Sequence, residues 1–398
     1  MSDLFRNNFI TYPKALFRTT IVIINNIYCI PTYVLWMTLL LPVKSYKPDL
    51  YYRIEGLFFH WLLSVVAMWS WTAGYDIVEL GDDIAPTRKK DVRTMVIANH
   101  QSTADVPLMM ASFTTKPDIL PNIMWIMERL FKFTNFGIVS LIHQDFFISS
   151  GKNVRDLSIK KLMEHIEESF IPRMRNWMVL FPEGGFLRKR KEVSQQYALK
   201  NNLPLMNHVS LPRVGALKAI FSVLPPHETQ TTSQQGNNNS CKQSTNNGTV
   251  TQDNGEADPA ATPTATETRH YLDYILDITI AYPNGKPLDI LNIIHGIRLP
   301  CPTYFLYRLY HTSQLPKTED GLTKWLYERW HEKEKILDDF YKNGNFSIPV
   351  AMPPIVVQQD MLRLVIINLF FITSTYVHLQ MFYMLADYCN RFYVLGFA

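Results

Sequence analysis

A histidine and an aspartate stand five residues apart in the stretch Asn99–Asp105, directly after a mostly apolar run, Val92–Ala98. A histidine can take a proton from a hydroxyl, and a carboxylate on its other ring nitrogen fixes the tautomer and stabilises the imidazolium. The apolar run predicts a buried strand that ends at His100, where α/β sheets build their sites. The spacing predicts a general base, His100, oriented by Asp105. A histidine capping the following helix is the alternative interpretation.

A second polar group follows another predicted strand, Trp177–Phe181, about eighty residues further along the chain. Gly184 and Gly185 would let backbone amides approach a ligand, and outward-pointing amides bind anions. Glu183 would order the site or hold a glycerol hydroxyl. The basic run Arg188–Lys191 comes next, and arginine suits bidentate binding of phosphate. A solvated charge run and an ordinary turn are the competing interpretations.

Three long stretches contain no Asp, Glu, Lys or Arg: Ile21–Leu41, Leu57–Tyr75 and Leu364–Ala386. Each is long enough to cross a hydrocarbon core, which takes about 20 helical residues. The first lacks a small-residue cleavage site and predicts a retained anchor. His60 and Gly74 leave a buried core helix open as the alternative for the second stretch. The chain is therefore predicted to associate with a lipid bilayer.

Charge and cysteine content argue against several other classes of protein. The formal net charge of +4 is a modest basic excess, which fits contact with anionic lipid head groups or phosphate-bearing ligands. The sequence shows no basic-aromatic motif, so nucleic acid is not an expected partner. The four cysteines are scattered without C-x-x-C spacing, so neither a metal site nor a disulfide framework is predicted.

The order of these segments predicts the organisation of the chain. Alternating strand-like and helix-like stretches predict an α/β domain with a largely buried sheet over residues 91–225, which resumes over residues 270–345. Residues 1–90 are predicted to form membrane-associated helices, and residues 346–398 a further membrane helix and tail. The intervening residues 226–269 are rich in Asn, Thr, Gln and Ser, and a disordered insertion is predicted there.

Local patterns predict the elements of the α/β part. Short apolar runs predict strands, and apolar residues three or four apart among charges predict helices. Besides the two strands already named, the predicted strands are Gly137–Ile142, Asp145–Ile148, Val209–Leu211, Tyr274–Tyr282 and Thr303–Tyr310. The predicted helices are Ala104–Phe113, Asp156–Phe170, one from Gly215, and an amphipathic helix over Leu322–Phe340.

The two polar groups, in this order, resemble the motifs of the glycerophospholipid acyltransferase family, whose members are lysophosphatidic acid acyltransferase-like. That family carries Asn-His-x-x-x-x-Asp, a Phe-Ile-x-Arg-like block, Phe-Pro-Glu-Gly and a later block containing proline. Here these motifs stand at Asn99–Asp105, Phe147-Ile148, Phe181–Gly184 and Leu211-Pro212. Longer phrases, such as residues 134–141 and 277–283, are similar to the branch of the family that acts on lysophosphatidylglycerol. By such phrases the resemblance extends over most of the chain.

The resemblance implies a fold, an activity and a set of site residues. The implied fold is an α/β, glycerol-3-phosphate acyltransferase-like domain with a central mixed sheet flanked by helices, and with membrane helices at both ends. The implied enzyme is an acyl-CoA-dependent lysophospholipid O-acyltransferase of the endoplasmic reticulum, crossing the membrane more than once. Acyl-CoA would be its co-substrate, lysophosphatidylglycerol or lysophosphatidylethanolamine its acceptor, and no cofactor is expected. The implied catalytic residues are His100 and Asp105, and the implied substrate-binding residues are Asn99, Glu183, Gly184, Gly185, Arg188 and Pro212.

One position departs from the family pattern. The block at Phe147-Ile148 usually supplies an arginine for the phosphate of the acceptor, but Ser149 and Ser150 stand there. Arg155, Arg188 and Arg213 are the candidates to replace it.

Two other functions are compatible with parts of the sequence. A lipid hydrolase would use Ser102 as its nucleophile, although the chain has no G-x-S-x-G nucleophile elbow. A membrane-anchored lipid-binding or tethering protein would carry the same motifs as a degenerate site.

Overall fold

The computed structural model describes residues 2–149, 151, 154–226 and 270–395. Ser150 and nearly all of the predicted insertion, residues 227–269, lie outside the described residues. Within the described part of the chain, eight strands form one sheet, in the order β4-β3-β5-β2-β6-β7-β1-β8. The strands are β1 (Ile77–Gly81), β2 (Thr94–Ala98), β3 (Ile123–Glu128), β4 (Phe146–Ile148), β5 (Trp177–Leu180), β6 (Tyr274–Ala281), β7 (Thr303–His311) and β8 (Met352–Val356).

The sheet is mixed, as predicted. Strands β4, β3, β5, β2 and β6 are parallel to one another, whereas β7 is antiparallel to β6 and parallel to β1. Strand β8 closes the other edge antiparallel to β1. Strands β1 and β8 therefore extend the sheet into the segments 1–90 and 346–398, beyond the predicted α/β residues.

Helices cover both faces of the sheet, and this confirms the predicted fold class. They are α1 (Ser2–Leu39), α2 (Leu41–Tyr46), α3 (Pro48–Trp71), α4 (Asp105–Thr114), α5 (Asn135–His143), α6 (Arg155–His165), α7 (Leu187–Lys200), α8 (Gly215–Val223), α9 (Ile290–His295), α10 (Glu319–Asn343) and α11 (Met361–Leu395). Residues of α1, α3, α4, α9 and α11 join the hydrophobic cluster on one face. Residues of α6, α7, α8 and α10 join the cluster on the other face.

Strand β2 shows why the sheet is buried on both sides. All five of its residues are buried. Because successive side chains of a strand point to opposite faces, Val96 and Ala98 join one cluster while Met95 and Ile97 join the other. A parallel strand covered by helices on both faces is expected to be apolar throughout, rather than alternating. This explains the run that identified β2 in the sequence.

Two predicted strands are wrong. Gly137–Ile142 belongs to α5, because Val139, Ser140 and His143 form one buried helical face. Val209–Leu211 is not a strand. Its three backbone N–H groups donate to the side chains of Glu334, Glu183 and Ser194, and not to a neighbouring strand.

Three described helices are long and apolar enough to cross a membrane: Thr11–Leu39 in α1, Pro48–Trp71 (α3) and Met361–Arg391 in α11. Helix α3 packs on α4 and is mostly buried within the protein. The outer faces of the other two helices expose large apolar side chains, for example Ile27 on α1 and Phe382 on α11. Apolar surface of this extent on a protein is suited to a lipid environment.

Candidate active site

The carboxyl ends of β2, β5 and β6 meet at one edge of the sheet, because the three strands are parallel and adjacent. His100 lies two residues beyond the end of β2, and Glu183 three residues beyond the end of β5. Tyr282 immediately follows β6. The sheet thus gathers side chains that are far apart in the sequence, at the edge where α/β proteins bind ligands.

His100 and Asp105 form the hydrogen bond that their spacing predicts. Nδ1 of His100 lies 2.8 Å from Oδ2 of Asp105. The same oxygen accepts the backbone N–H groups of Gln101 at 2.7 Å and Ser102 at 2.9 Å. Asp105 is the first residue of α4, where the helix dipole favours a negative charge. With the Nδ1 proton donated to Asp105, Nε2 of His100 is the nitrogen that can act as a base.

Two aromatic rings hold the imidazole in place. The ring of Phe181 stacks on His100, with centroids 4.2 Å apart and an angle of 25° between the planes. Phe186 meets the imidazole edge-on at 4.5 Å. The backbone carbonyl of His100 also accepts the N–H of Leu187 at 2.7 Å. The side chain of His100 is 10% exposed, so the imidazole is mostly buried between these rings and the Asp105 carboxylate.

The other carboxylate oxygen of Asp105 has a partner on a different strand. The hydroxyl of Tyr282 donates to Oδ1 at 2.5 Å, and both residues are fully buried. Burial and the charge of Asp105 raise the pKa of Tyr282 well above its usual value. The side chain of Asn99 explains this alignment, since it donates to the carbonyl of Ile280 at 3.0 Å and accepts the N–H of the same residue at 2.8 Å. Asn99 is itself fully buried, so these bonds fasten the end of β2 to β6.

Glu183 is a buried acceptor behind the histidine. Its Oε1 accepts the backbone N–H of His100 at 3.1 Å and the indole N–H of Trp330 at 3.3 Å. Its Oε2 accepts the N–H of Ser210 at 3.0 Å. Burial raises the pKa of Glu183 to about 8, although these three donors and the nearby Lys333 act in the opposite direction. Glu183 therefore ties the histidine loop to α10 and to the segment before Pro212.

A buried ion pair lies close to Glu183. The ammonium of Lys333 on α10 pairs with Asp277 on β6, and both side chains are at most 5% exposed. Nζ of Lys333 also donates to the carbonyl of Ile278 at 2.6 Å and to the hydroxyl of Thr279 at 3.2 Å. These bonds fix α10, and with it Trp330, against the centre of the sheet.

Gly184 and Gly185 make room for arginine side chains. Both have positive φ angles, +68° and +152°, which favour glycine. A β-carbon added to Gly184 would lie 3.1 Å from the guanidinium carbon of Arg213, and one added to Gly185 would lie 3.2 Å from the Arg190 side chain. The N–H of Gly184 donates to the carbonyl of Phe181 at 3.0 Å, so this amide closes the turn and is not directed at a ligand.

Arg213 and Arg190 lie beside this turn, and Arg155 lies beside Gly215, two residues after Arg213. Arg213 is exposed, but partial burial together with Arg190 and Arg155 lowers its pKa, and Glu128 opposes them. Nε of Arg190 is buried and has no hydrogen-bond partner among the described residues. Cations that repel one another beside a buried N–H donor can hold an anion. We call Arg155, Arg190 and Arg213 the arginine cluster.

The remaining predicted residues lie around this cluster. Pro212 is buried, and the N–H of the next residue, Arg213, donates to the carbonyl of Pro182 at 2.8 Å. Arg188 is exposed on the first turn of α7. The sequence singled out Arg155 and Arg213, but it gave no reason to choose Arg190 from within its basic run. It also gave no role to Tyr282, Trp330 or Lys333.

Comparison with known proteins places the chain in a family. A family model described as Acyltransferase matches residues 83–211, and one described as Acyltransferase C-terminus matches residues 292–371. Acyl-CoA:lysophosphatidylglycerol acyltransferase 1 from Mus musculus is 41% identical over 84% of this chain and 84% of its own length. The Homo sapiens protein of the same name is 39% identical over 84% and 83%, respectively. The chain belongs to the glycerophospholipid acyltransferase family.

The site residues of this acyltransferase lie within and between the two matched regions. His100, Asp105 and Glu183 fall within the first region and Trp330 within the second, whereas Tyr282 lies between them. Among solved structures, the 1-acyl-sn-glycerophosphate (LPA) acyltransferase PlsC from Thermotoga maritima matches at 12% identity and a TM-score of 0.42, over 83% of this chain and 98% of that one.

The geometry of Ser102 in this acyltransferase does not suit a nucleophile. Its hydroxyl donates to the backbone carbonyl of Leu288 and accepts the N–H of Ala104 at 3.0 Å. A serine nucleophile would instead hydrogen-bond to the base that activates it. Ser102 therefore shapes the turn into α4, and the hydrolase alternative loses its main candidate residue.

Proposed function

We propose that this membrane-associated acyltransferase moves a fatty acyl group from acyl-CoA to the free hydroxyl of a lysophospholipid, with His100 as general base. The observation that carries the proposal is the bond from His100 Nδ1 to Asp105, which leaves Nε2 as the nitrogen that can accept a proton. Two relatives, 41% and 39% identical to this chain, have lysophosphatidylglycerol in their names, and this supports a lysophospholipid acceptor. Lysophosphatidylethanolamine is an alternative acceptor.

The chemistry follows from the roles of the two residues. Nε2 of His100 takes the proton from the acceptor hydroxyl while the oxygen attacks the thioester carbonyl of acyl-CoA. Asp105 stabilises the imidazolium that forms. When the tetrahedral intermediate collapses, the carbon–sulfur bond breaks, and the proton passes from the imidazolium to the leaving thiolate. The products are a diacyl phospholipid and free CoA, with no acyl group on the protein.

We assign the phosphate of the acceptor to the arginine cluster. Its support is the proximity of Arg213 and Arg190 to the Gly184–Gly185 turn and the buried, unpartnered Nε of Arg190 in the described part of the chain. Guanidinium groups bind phosphate with paired hydrogen bonds, and a bound phosphate would relieve their mutual repulsion. In this assignment Arg155, Arg190 and Arg213 together replace the arginine that the family carries near Ser149. Glu183 is a positioning residue, because its carboxylate is fully buried.

Turnover by the purified full-length chain tests the function. Release of free CoA is followed with a thiol reagent while a panel of lysophospholipids is offered with one acyl-CoA. His100→Ala should abolish transfer while the protein stays folded and membrane-associated. His165→Ala, which changes a histidine on α6, should leave transfer unchanged. Binding of both substrates without turnover by the unaltered protein would favour the lipid-binding or tethering function.

We further propose that the chain resides in the endoplasmic reticulum membrane and crosses it more than once. The support is the length of α1 and α11 and the apolar side chains that both helices expose. Protease protection in sealed microsomes, with an epitope tag at each end of the chain, tests this topology. Extraction of the chain by alkaline carbonate would contradict it.

A further inference from the structure

Tyr282 meets Asp105 from a part of the chain that neither catalytic motif contains. Oδ2 of Asp105 accepts three donors from the residues 100–102, whereas Oδ1 accepts the hydroxyl of Tyr282 at 2.5 Å. We propose that Tyr282 is a positioning residue for proton transfer, which holds the Asp105 carboxylate so that Oδ2 stays directed at His100. This inference rests on the proposed function, since it assigns Tyr282 a task within the His100–Asp105 pair.

The carboxylate needs this donor because it is wholly enclosed. Asp105 is 0% exposed, so water cannot replace a missing partner at Oδ1. A buried carboxylate oxygen without a donor is unfavourable, and rotation of the carboxylate would then exchange the two oxygens. Tyr282 prevents that rotation with one bond. Its raised pKa keeps the phenol protonated, so the hydroxyl remains a donor wherever the enzyme is folded and active.

The pairing of β2 with β6 sets the position of Tyr282 relative to Asp105. Strand β6 lies beside β2 in parallel register, with Ala98 opposite Ile278. The two bonds between Asn99 and Ile280 continue that register past the end of β2. Tyr282 then follows two residues after Ile280. Asn99 therefore determines where Tyr282 lies relative to the histidine loop.

Tyr282 has no route to the substrates. Its side chain is fully buried, so it cannot contact the acceptor or the thioester. The other ionisable groups around the pair are Glu183, which accepts the backbone N–H of His100, and Tyr341 on α10. Burial raises the pKa of Tyr341 as well, so it is neutral in the same pH range. The effect of Tyr282 must therefore pass through Asp105.

A double-mutant cycle separates this role from a structural one. Tyr282→Phe should lower kcat about tenfold while changing the KM of the acceptor less than twofold, because one hydrogen bond to a charged group is lost. In an Asp105→Asn background the same change should alter kcat less than twofold. Tyr307→Phe is the matched control, since Tyr307 is also fully buried and its hydroxyl contacts Ser112. It should leave kcat within twofold of the unaltered enzyme.

The pH profile gives a second readout. Without the phenol, the Asp105 carboxylate is no longer held towards His100 and stabilises the imidazolium less. The acid limb of kcat/KM should therefore move to lower pH in Tyr282→Phe and stay in place in Tyr307→Phe. Should the phenylalanine variant not fold, 3-fluorotyrosine at position 282 keeps the packing and makes the hydroxyl a stronger donor. In that variant kcat should stay within twofold of the unaltered enzyme, and a tenfold fall in kcat would contradict the proposal.

The outcomes test the role of Tyr282 separately from the proposed function. If Tyr282→Phe reduces kcat equally in both backgrounds, or leaves kcat and the acid limb unchanged, Tyr282 is not a positioning residue. The proposed function is unaffected by that result. If Asp105→Asn itself retains full kcat, the proposed catalytic pair is wrong, and the inference is wrong with it.

Discussion

Replacing Asp105 with asparagine removes one charge from the catalytic pair and preserves its shape. The amide oxygen of asparagine can take the place of Oδ2, where three N–H groups converge. The amide nitrogen then faces Tyr282, whose hydroxyl can turn from donor to acceptor. The loop geometry should survive, so the variant isolates the electrostatic contribution of the carboxylate to the transition state.

The size of that contribution follows from the distance. With charge centres roughly 4 Å apart and an effective dielectric constant of about 20, the attraction between imidazolium and carboxylate is about 4 kcal/mol. Since each 1.36 kcal/mol is tenfold in rate, we expect kcat to fall about 1,000-fold. The KM values of acyl-CoA and acceptor should change little, because Asp105 is fully buried and touches neither substrate.

The assay compares initial rates of CoA release by purified Asp105→Asn and unaltered enzyme in the same lipid nanodiscs. Thermal unfolding of both proteins provides the control for folding. A variant with native stability and kcat within tenfold of the unaltered enzyme would refute the assignment of Asp105 as the stabilising carboxylate. A fall in rate that follows a rise in the KM of the acceptor would place Asp105 in binding instead.

Three further predictions concern the surroundings of the pair. Arg213→Met should raise the KM of the acceptor about tenfold through loss of charged hydrogen bonds, and leave the KM of acyl-CoA unchanged in the same assay. Lys333→Met leaves the buried Asp277 carboxylate without its cation, and should lower the free energy of unfolding by about 3–5 kcal/mol in thermal unfolding. Lys335→Met, on the exposed face of α10, should leave the free energy of unfolding unchanged. Because burial raises the pKa of Glu183 to about 8, the folded state binds more protons than the unfolded chain between about pH 4.5 and 8. The melting temperature should therefore fall as pH rises through that window, and Glu183→Gln should flatten the slope; equal slopes would contradict the shift.

The sequence predicts the contact between site residues that are close in the chain, and it misses the contacts between residues that are far apart. His100 and Asp105 are separated by five residues, and a strand followed by a helix brings them together without help from the rest of the chain. The bond between Asp105 and Tyr282 joins residues 177 positions apart, and the bond between Glu183 and Trp330 joins residues 147 apart. Such contacts depend on the pairing of β6 with β2, which no local pattern encodes.

The wrong strand predictions have a similar cause. An apolar run such as Gly137–Ile142 fits a strand or a helix, and here it forms a helix because it packs against α1.

Lys333 lies in an amphipathic helix rich in charges, where a lysine is normally solvated. Its burial follows from Asp277 on β6, which is distant in sequence. The missing arginine near Ser149 was visible in the sequence, but the arginine cluster became visible only in the structure.

The position of β6 has a consequence for how the chain can be divided. Strand β6 lies between β2 and β7, so a fragment ending at residue 225 would leave β2 as an open edge with unpaired backbone groups. That fragment contains both catalytic motifs and would nevertheless lack the phenol on Asp105 and the indole on Glu183. We expect it to aggregate, whereas coexpression with a fragment beginning at residue 270 offers β2 its missing neighbour. The region that carries the recognisable motifs is thus not an independent folding unit.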